Sequence, residues 1–229
     1  MRLSIVVPAY NEARSVAEVV GRLLALDADL EVVAVDDGST DGTWESLQQL
    51  GSDRVRLLRH PRNRGKGAAI RTALPAVRGD YVVIQDADLE YDPRDILALV
   101  AEAERTGAAV VYGNRIHGEF SKSYQRYYWG GRLVTLVTNL LYGLGIHDEP
   151  VGYKLFRRDL LLSLPLRCEG FEFCPEVTAR VARAGHRIRE VPISYAPRSF
   201  AQGKKITWRD GVLAVWTLLR LRLAPRGRR

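Results

Sequence analysis

The sequence predicts an α/β fold, a mostly parallel sheet with helices on both faces, and three observations predict it. Short β-branched runs alternate with amphipathic stretches through the first half of the chain, the pattern of strands joined by crossover helices. Mixed α and β character continues after Gly113. At 229 residues and 46% hydrophobic content, the chain can bury one well-packed core and is too apolar to be disordered.

Strands are expected near Leu3–Pro8, Glu31–Asp36, Val55–Arg59, Tyr81–Gln85 and Ala108–Tyr112. The apolar stretch before Pro8 is too short for a signal peptide and reads as the first strand. Helices fill the gaps near Glu12–Leu26, Thr43–Leu50, Gly67–Val77 and Pro93–Arg105. The last has a start signal, because Asp92 can cap it and Pro93 suits the first helical position. Beyond Gly113 come a Tyr- and Arg-rich stretch, an apolar helix near Leu133–Tyr142 and a candidate strand in Gly152–Arg157. A helix near Glu172–Ala184 and a strand near Ile188–Ile193 follow, and a polar basic loop from Pro197 to Lys205 leads to a final amphipathic helix. This divides the chain into residues 1–205 and a basic helical tail, 206–229.

The formal charge of +7 points to an anionic partner. Nucleic acid is disfavoured, because the arginines are scattered and the predicted crevice is acidic. Cys168 and Cys174 lack zinc-site spacing and make no disulfide framework, so the simplest location is cytoplasmic. No run approaches the roughly 20 apolar residues of a membrane-spanning helix, so any membrane contact is expected to be peripheral. In the tail, Trp208, Val212, Val215, Trp216 and Leu219 recur at helical spacing beside Arg209, Arg220, Arg222, Arg226, Arg228 and Arg229. That stripe suits either a helix lying among lipid headgroups or one packed on the domain.

In an open parallel sheet, ligands bind beyond the carboxyl ends of the strands. Three acidic clusters fall there: Tyr10-Asn11-Glu12, Asp36-Asp37-Gly38-Ser39 and Asp86-Ala87-Asp88-Leu89-Glu90. Singly, each matches ordinary turn chemistry. Together they would repel one another unless a cation or the hydrogen-bond donors of a bound ligand filled the crevice. Asp86 and Asp88, separated by one residue, can converge on a hard divalent ion that also holds a diphosphate, with Glu90 completing or supporting the site. The dinucleotide reading is weak, since no Gly-x-Gly-x-x-Gly follows the first strand. Arg64-Gly65-Lys66-Gly67 lacks the Ser or Thr and the upstream glycine of a phosphate loop, and reads as a loop entering a helix at Ala68.

Val6-Val7-Pro8-Ala9-Tyr10-Asn11-Glu12, Asp36-Asp37-Gly38-Ser39-Thr40-Asp41-Gly42-Thr43, Asn63-Arg64-Gly65-Lys66-Gly67 and Asp86-Ala87-Asp88, in that order and spacing, resemble the family 2 glycosyltransferases. Farther on, Gly170-Phe171-Glu172-Phe173-Cys174-Pro175-Glu176, Glu190-Val191-Pro192-Ile193, Arg198 and Gly203-Lys204-Lys205 are similar to the dolichyl- or polyprenyl-phosphate sugar synthases. The resemblance implies a GT-A fold, a bound Mg²⁺ or Mn²⁺ and inversion at the anomeric carbon. It implies that Pro8, Tyr10, Glu12 and Asp37 hold the nucleoside and that Asp86, Asp88 and Glu90 hold metal and diphosphate. Arg115, Arg132, Arg198 and Lys204 match basic positions around the donor and acceptor phosphates, where cations offset like-charge repulsion. Glu176 matches a family carboxylate, either as an organiser of the basic site or as a substrate contact.

The tract Asp148-Glu149-Pro150-Val151-Gly152-Tyr153-Lys154 departs from the family pattern, although Asp148 and Lys154 fit it. Processive synthases carry Gln-x-x-Arg-Trp, which Gln125-Arg126-Tyr127-Tyr128-Trp129 does not match. The implied donors are GDP-mannose first and UDP-glucose second, and the implied acceptor is a polyprenyl phosphate at a membrane surface. A soluble sugar or protein hydroxyl as acceptor, and a non-catalytic nucleotide-sugar binder, are the alternatives.

Overall fold

The computed structural model describes residues 1–115, 125–198, 205 and 207–225. Its strands are β1 (Leu3–Ala9), β2 (Leu30–Asp36), β3 (Val55–Arg59), β4 (Tyr81–Ile84), β5 (Val110–Asn114), β6 (Lys154–Arg157) and β7 (Arg189–Pro192). They form one seven-stranded sheet in the order β3-β2-β1-β4-β6-β5-β7. Every neighbouring pair is parallel except those made by β6, which runs antiparallel to both β4 and β5. The sheet is therefore mostly parallel, as the sequence predicts. Every residue of β2 is buried, which explains the apolar run Val32-Val33-Ala34-Val35 where a one-sided strand would alternate.

The helices are α1 (Val16–Leu24), α2 (Thr43–Gln48), α3 (Lys66–Ala73), α4 (Asp95–Thr106), α5 (Gln125–Tyr142), α6 (Arg158–Ser163), α7 (Phe173–Arg183) and α8 (Trp208–Leu223). In α1, Val16, Val19, Val20 and Leu23 are buried at helical spacing. It starts later than expected because Glu12 closes a turn, its carbonyl accepting from Ser15 and Val16. Nor does Asp92 cap α4: its carboxylate takes the Arg94 N–H in a turn, and the helix begins at Asp95. The short α6 was not predicted.

Helix α3 begins at Lys66, two residues before the expected entry at Ala68. Its first turn lies directly on the 168–170 backbone, with Gly67 N–H donating to the Gly170 carbonyl at 3.2 Å and Ala68 N–H to that of Glu169 at 2.9 Å. A Cβ at position 67 would stand 2.6 Å from the Cys168 carbonyl oxygen. Glycine is needed there for close backbone approach.

The final helix packs on α5 and α7. Ala214, Leu218 and Leu221 join Val134 and Ala179 in a second small core, and the Tyr142 hydroxyl donates to the Leu218 carbonyl at 2.8 Å. Of the expected stripe, only the half-buried Val215 packs on that face. Trp208, Val212, Trp216 and Leu219 point outward, as do Trp129, Leu133, Leu136 and Leu140 of α5. Among the described residues, no helix is long and apolar enough to cross a membrane.

Candidate active site

Parallel register brings the carboxyl ends of β1, β2 and β4 together. Ala9 lies opposite Asp36, and Val6 opposite Ile84, so the three acidic clusters emerge on one edge. Beyond that edge lies a cavity of about 1400 Å³, lined by Pro8, Tyr10, Glu12, Asp37, Asp86, Asp88, Glu90, Arg115, Arg132 and Arg198. These are all the predicted site residues except Lys204, which lies outside the described residues. Its neighbour Lys205 lines the same cavity.

Asp86 and Asp88 leave the end of β4 as a pair of hard oxygen donors. Burial, followed by repulsion from Asp86 and Glu90, pushes the Asp88 carboxyl up to about 7 against the pull of Arg198. Cations already face the pair: Lys66 Nζ contacts Asp86, and the Arg198 guanidinium lies 2.8 Å from Asp88. Such a crowded, oxygen-only pair fits a hard divalent ion, which commonly takes one or two carboxylates and completes its shell with substrate phosphates and water.

Glu90, expected as a further ligand, is engaged elsewhere. One oxygen accepts the Tyr195 hydroxyl at 2.6 Å and the other the Arg198 backbone N–H at 2.9 Å. Among the described residues, no group of three or more His, Cys, Asp or Glu side chains is gathered for a metal. Asp86 and Asp88 face the cavity, paired with Lys66 and Arg198.

Glu12 and Asp37, expected at the nucleoside, also have firm partners. Glu12 receives both terminal nitrogens of Arg198 at 3.0 Å and Lys205 Nζ at 2.7 Å. Asp37 accepts from the backbone N–H of Arg64 at 2.9 Å and of Gly65 at 2.7 Å, and meets His60 Nδ1 at 2.6 Å. It therefore ties the end of β2 to the glycine loop that delivers Lys66. Pro8 and Tyr10 flank this end of the cavity, and Arg132 is exposed at the rim with a 3.4 Å contact to the His147 carbonyl.

Arg115 is held at the opposite wall. Asp148 receives its Nε at 2.7 Å, a terminal nitrogen at 2.8 Å and its backbone N–H at 3.1 Å. Burial alone would raise the Asp148 carboxyl, but the Arg115 guanidinium outweighs it and the group lies below its usual range. Stacked Tyr91 and Tyr153, 4.7 Å apart, brace this wall, and the Tyr91 hydroxyl accepts the Gly152 N–H at 2.9 Å. A Cβ on Gly152 would lie 2.6 Å from Asp86 Oδ2 and 2.9 Å from the Tyr91 ring. Gly152→Ala should therefore displace Asp86 and lower kcat about 100-fold with the fold retained, measured as turnover beside an unchanged circular dichroism spectrum.

Among the described residues, Glu176 neither lines the cavity nor pairs with a cation that does; it fastens the 167–168 backbone and Arg180. One of its oxygens accepts the Arg167 and Cys168 backbone N–H groups at 2.9 and 2.7 Å, and the other takes Arg180 at 2.7 Å. Burial would raise this carboxyl, yet those backbone donors and Arg180 hold it below the ordinary range. Its stabilising contribution is present above that range and is lost as pH falls through the depressed value. Glu176→Gln should cost roughly 3 kcal/mol near neutrality, with the gap narrowing in acid, as read by urea unfolding at both pH values.

Lys205, which the sequence offers as a stand-in for Lys204, does line the cavity. Lys66 and Tyr195 line it as well and His60 backs Asp37, and sequence reasoning singles out none of the three: Lys66 lies inside the glycine-loop motif, while His60 and Tyr195 carry no signal.

Comparison with known proteins follows the same lines. The sequence model of a family described as Glycosyl transferase family 2 matches residues 4–164. An undecaprenyl-phosphate mannosyltransferase of Micrococcus luteus is 32% identical, over 97% of this chain and 99% of that protein. The low-salt glycan biosynthesis hexosyltransferase Agl6 of Haloferax volcanii is 31% identical over 86% of this chain, which spans 48% of that protein's length. Among solved structures, glucosyl-3-phosphoglycerate synthase of Mycobacterium tuberculosis, in complex with Mn²⁺ and UDP-glucose, superposes with a TM-score of 0.75. It is 24% identical, over 99% of this chain and 80% of that one, a likeness of fold.

Proposed function

Because the chain belongs to glycosyl transferase family 2, we propose that it transfers a hexose, mannose first, from a nucleotide sugar to a polyprenyl phosphate at a membrane surface. One observation carries this reading: a single cavity pairs the Asp86–Asp88 donors with the cations Lys66, Arg115, Arg132, Arg198 and Lys205, and reaches α5 and α8. The M. luteus relative, matched over nearly its whole length, supports the lipid phosphate as acceptor.

Asp86 and Asp88 would hold Mg²⁺ or Mn²⁺, which when bound supplies Lewis-acid stabilisation of the departing nucleoside diphosphate. The chain's own groups do the rest. Pro8, Tyr10 and the loop tied by Asp37 border the nucleoside end, and Lys66, beside Asp86, would meet the diphosphate. Arg198 and Arg115 approach from two sides and offset the repulsion between an acceptor phosphate and a donor diphosphate. Lys204 remains a candidate for the same task on the sequence resemblance alone.

The acceptor's phosphate oxygen attacks the anomeric carbon in line, and the nucleoside diphosphate leaves from the opposite face. A phosphomonoester is largely ionised near neutral pH, so the reaction asks for no strong general base. Outward-facing Trp129 and Leu133 on α5, and Trp208, Val212 and Trp216 on α8, suit a peripheral contact with the lipid interface, where tryptophan is favoured. GDP-mannose is the first donor and UDP-glucose the second.

The test is a panel of nucleotide sugars offered with Mn²⁺ or Mg²⁺ and a short polyprenyl phosphate, with any glycolipid identified by mass. A single-hexose adduct from one donor is the expected result. Equal transfer to soluble sugars without lipid phosphate would count against the proposed acceptor.

A further inference from the structure

Resting on the reading that Arg198 serves the phosphates of this site, we infer that Tyr195 is a positioning residue: its hydroxyl fixes Glu90, and Glu90 holds the backbone that aims Arg198. Three contacts from Glu90 fasten this segment. Its carbonyl accepts the Ala196 N–H at 2.9 Å, one carboxylate oxygen accepts the Arg198 N–H at 2.9 Å, and the other accepts the Tyr195 hydroxyl at 2.6 Å. A charge-assisted O–H···O⁻ bond of that length is among the stronger kinds. With a donor on each oxygen, the carboxylate is confined to one orientation.

The same tyrosine reaches the other cationic arm. Its ring lies 5.2 Å from that of Tyr91, and the Arg115 guanidinium carbon stands 4.9 Å over its face. The segment enters this arrangement already anchored, because Ile193 N–H donates to the Asn114 carbonyl at 3.0 Å and Ser194 N–H to Asp95 at 2.7 Å. Tyr195 therefore joins two arginines that come from separate parts of the chain. Removing only its hydroxyl leaves one Glu90 oxygen without its donor and frees the carboxylate to rotate, releasing the Arg198 backbone. The bidentate Arg198–Glu12 pair then loses the support beneath it.

Tyr195→Phe keeps the ring and deletes the hydroxyl. Limited trypsin digestion read by mass spectrometry should show cleavage after Arg198 rising at least about threefold, as expected of a local opening, with cleavage after exposed Arg105 unchanged. A double-mutant cycle gives the functional readout. Tyr195→Phe should lower kcat about fivefold with donor KM nearly constant, and should cost nothing further in an Arg198→Gln background, because coupled residues are not additive. Unchanged cleavage after Arg198, a uniform rise at every site, or an equal loss of kcat in both backgrounds would overturn the inference. Failure of the wild type to glycosylate polyprenyl phosphate, with proteolysis responding as described, would sink the acceptor reading and leave the clamp standing.

Discussion

Asp88→Asn should lower kcat about 10³-fold while the folded protein, in buffer free of divalent ions, melts no lower than the wild type. On the proposed reading, the loss follows from removing one carboxylate of the Asp86–Asp88 pair, where a held cation would stabilise the leaving diphosphate by several kcal/mol. The stability expectation has the opposite sign because of the surroundings. Burial and the charges of Asp86 and Glu90 disfavour the ionised Asp88, whose pKa is pushed up to about 7. A neutral isostere escapes that penalty. Steady-state kinetics and a thermal melt on the same preparation read both halves, and a variant that melted early would make the kinetic loss uninformative about chemistry.

Arg198→Gln should reduce kcat by about 100-fold, the scale typical of deleting one donor to developing charge. It should also loosen the ligand-free protein. Arg198 is bonded to Glu12 and Asp88 and lies 3.7 Å from Glu90, so its removal strands negative charge in a confined crevice. Arg198→Lys keeps the charge but cannot reproduce the two-nitrogen grip on Glu12. It should recover stability more fully than turnover. Equal recovery of both, measured by melting and by initial rates, would mean that charge alone matters at this position.

Much of this architecture was legible in the residues. Strands β1, β2, β4 and β5 announce themselves as β-branched runs, and the three carboxylate clusters stand out because each follows one of those runs. What stayed hidden depends on distant contacts or on lengths too short for periodicity. Helix α6 spans only Arg158–Ser163, under two turns, and offers no repeat to detect. Residues 125–132 of α5 contain adjacent Gly130 and Gly131, poor helix formers, so the sequence places the start of the apolar helix at Leu133. The antiparallel setting of β6 follows from where the chain returns after α5, which no local pattern encodes.

The site shows the same division. Composition and order singled out Asp86 and Asp88, but the engagement of Glu90 with Tyr195, 105 residues away, required the fold. Asp37 lines the cavity. That its carboxylate is bonded to the Arg64–Gly65 backbone and to His60 could not be read from a turn sequence. The incomplete phosphate-loop pattern gives Lys66 no role, yet its amine meets Asp86 across the cavity. In each case the residue type was visible and its partner was not.

The most direct test measures hexose transfer from a nucleotide sugar by chelator-treated enzyme, before and after Mn²⁺ or Mg²⁺ is restored. Turnover should vanish on chelation and return with the ion in the wild type, but return only marginally in the Asp88→Asn protein. Full activity in the presence of excess chelator would contradict the assignment of Asp86 and Asp88 as the groups that hold a catalytic cation.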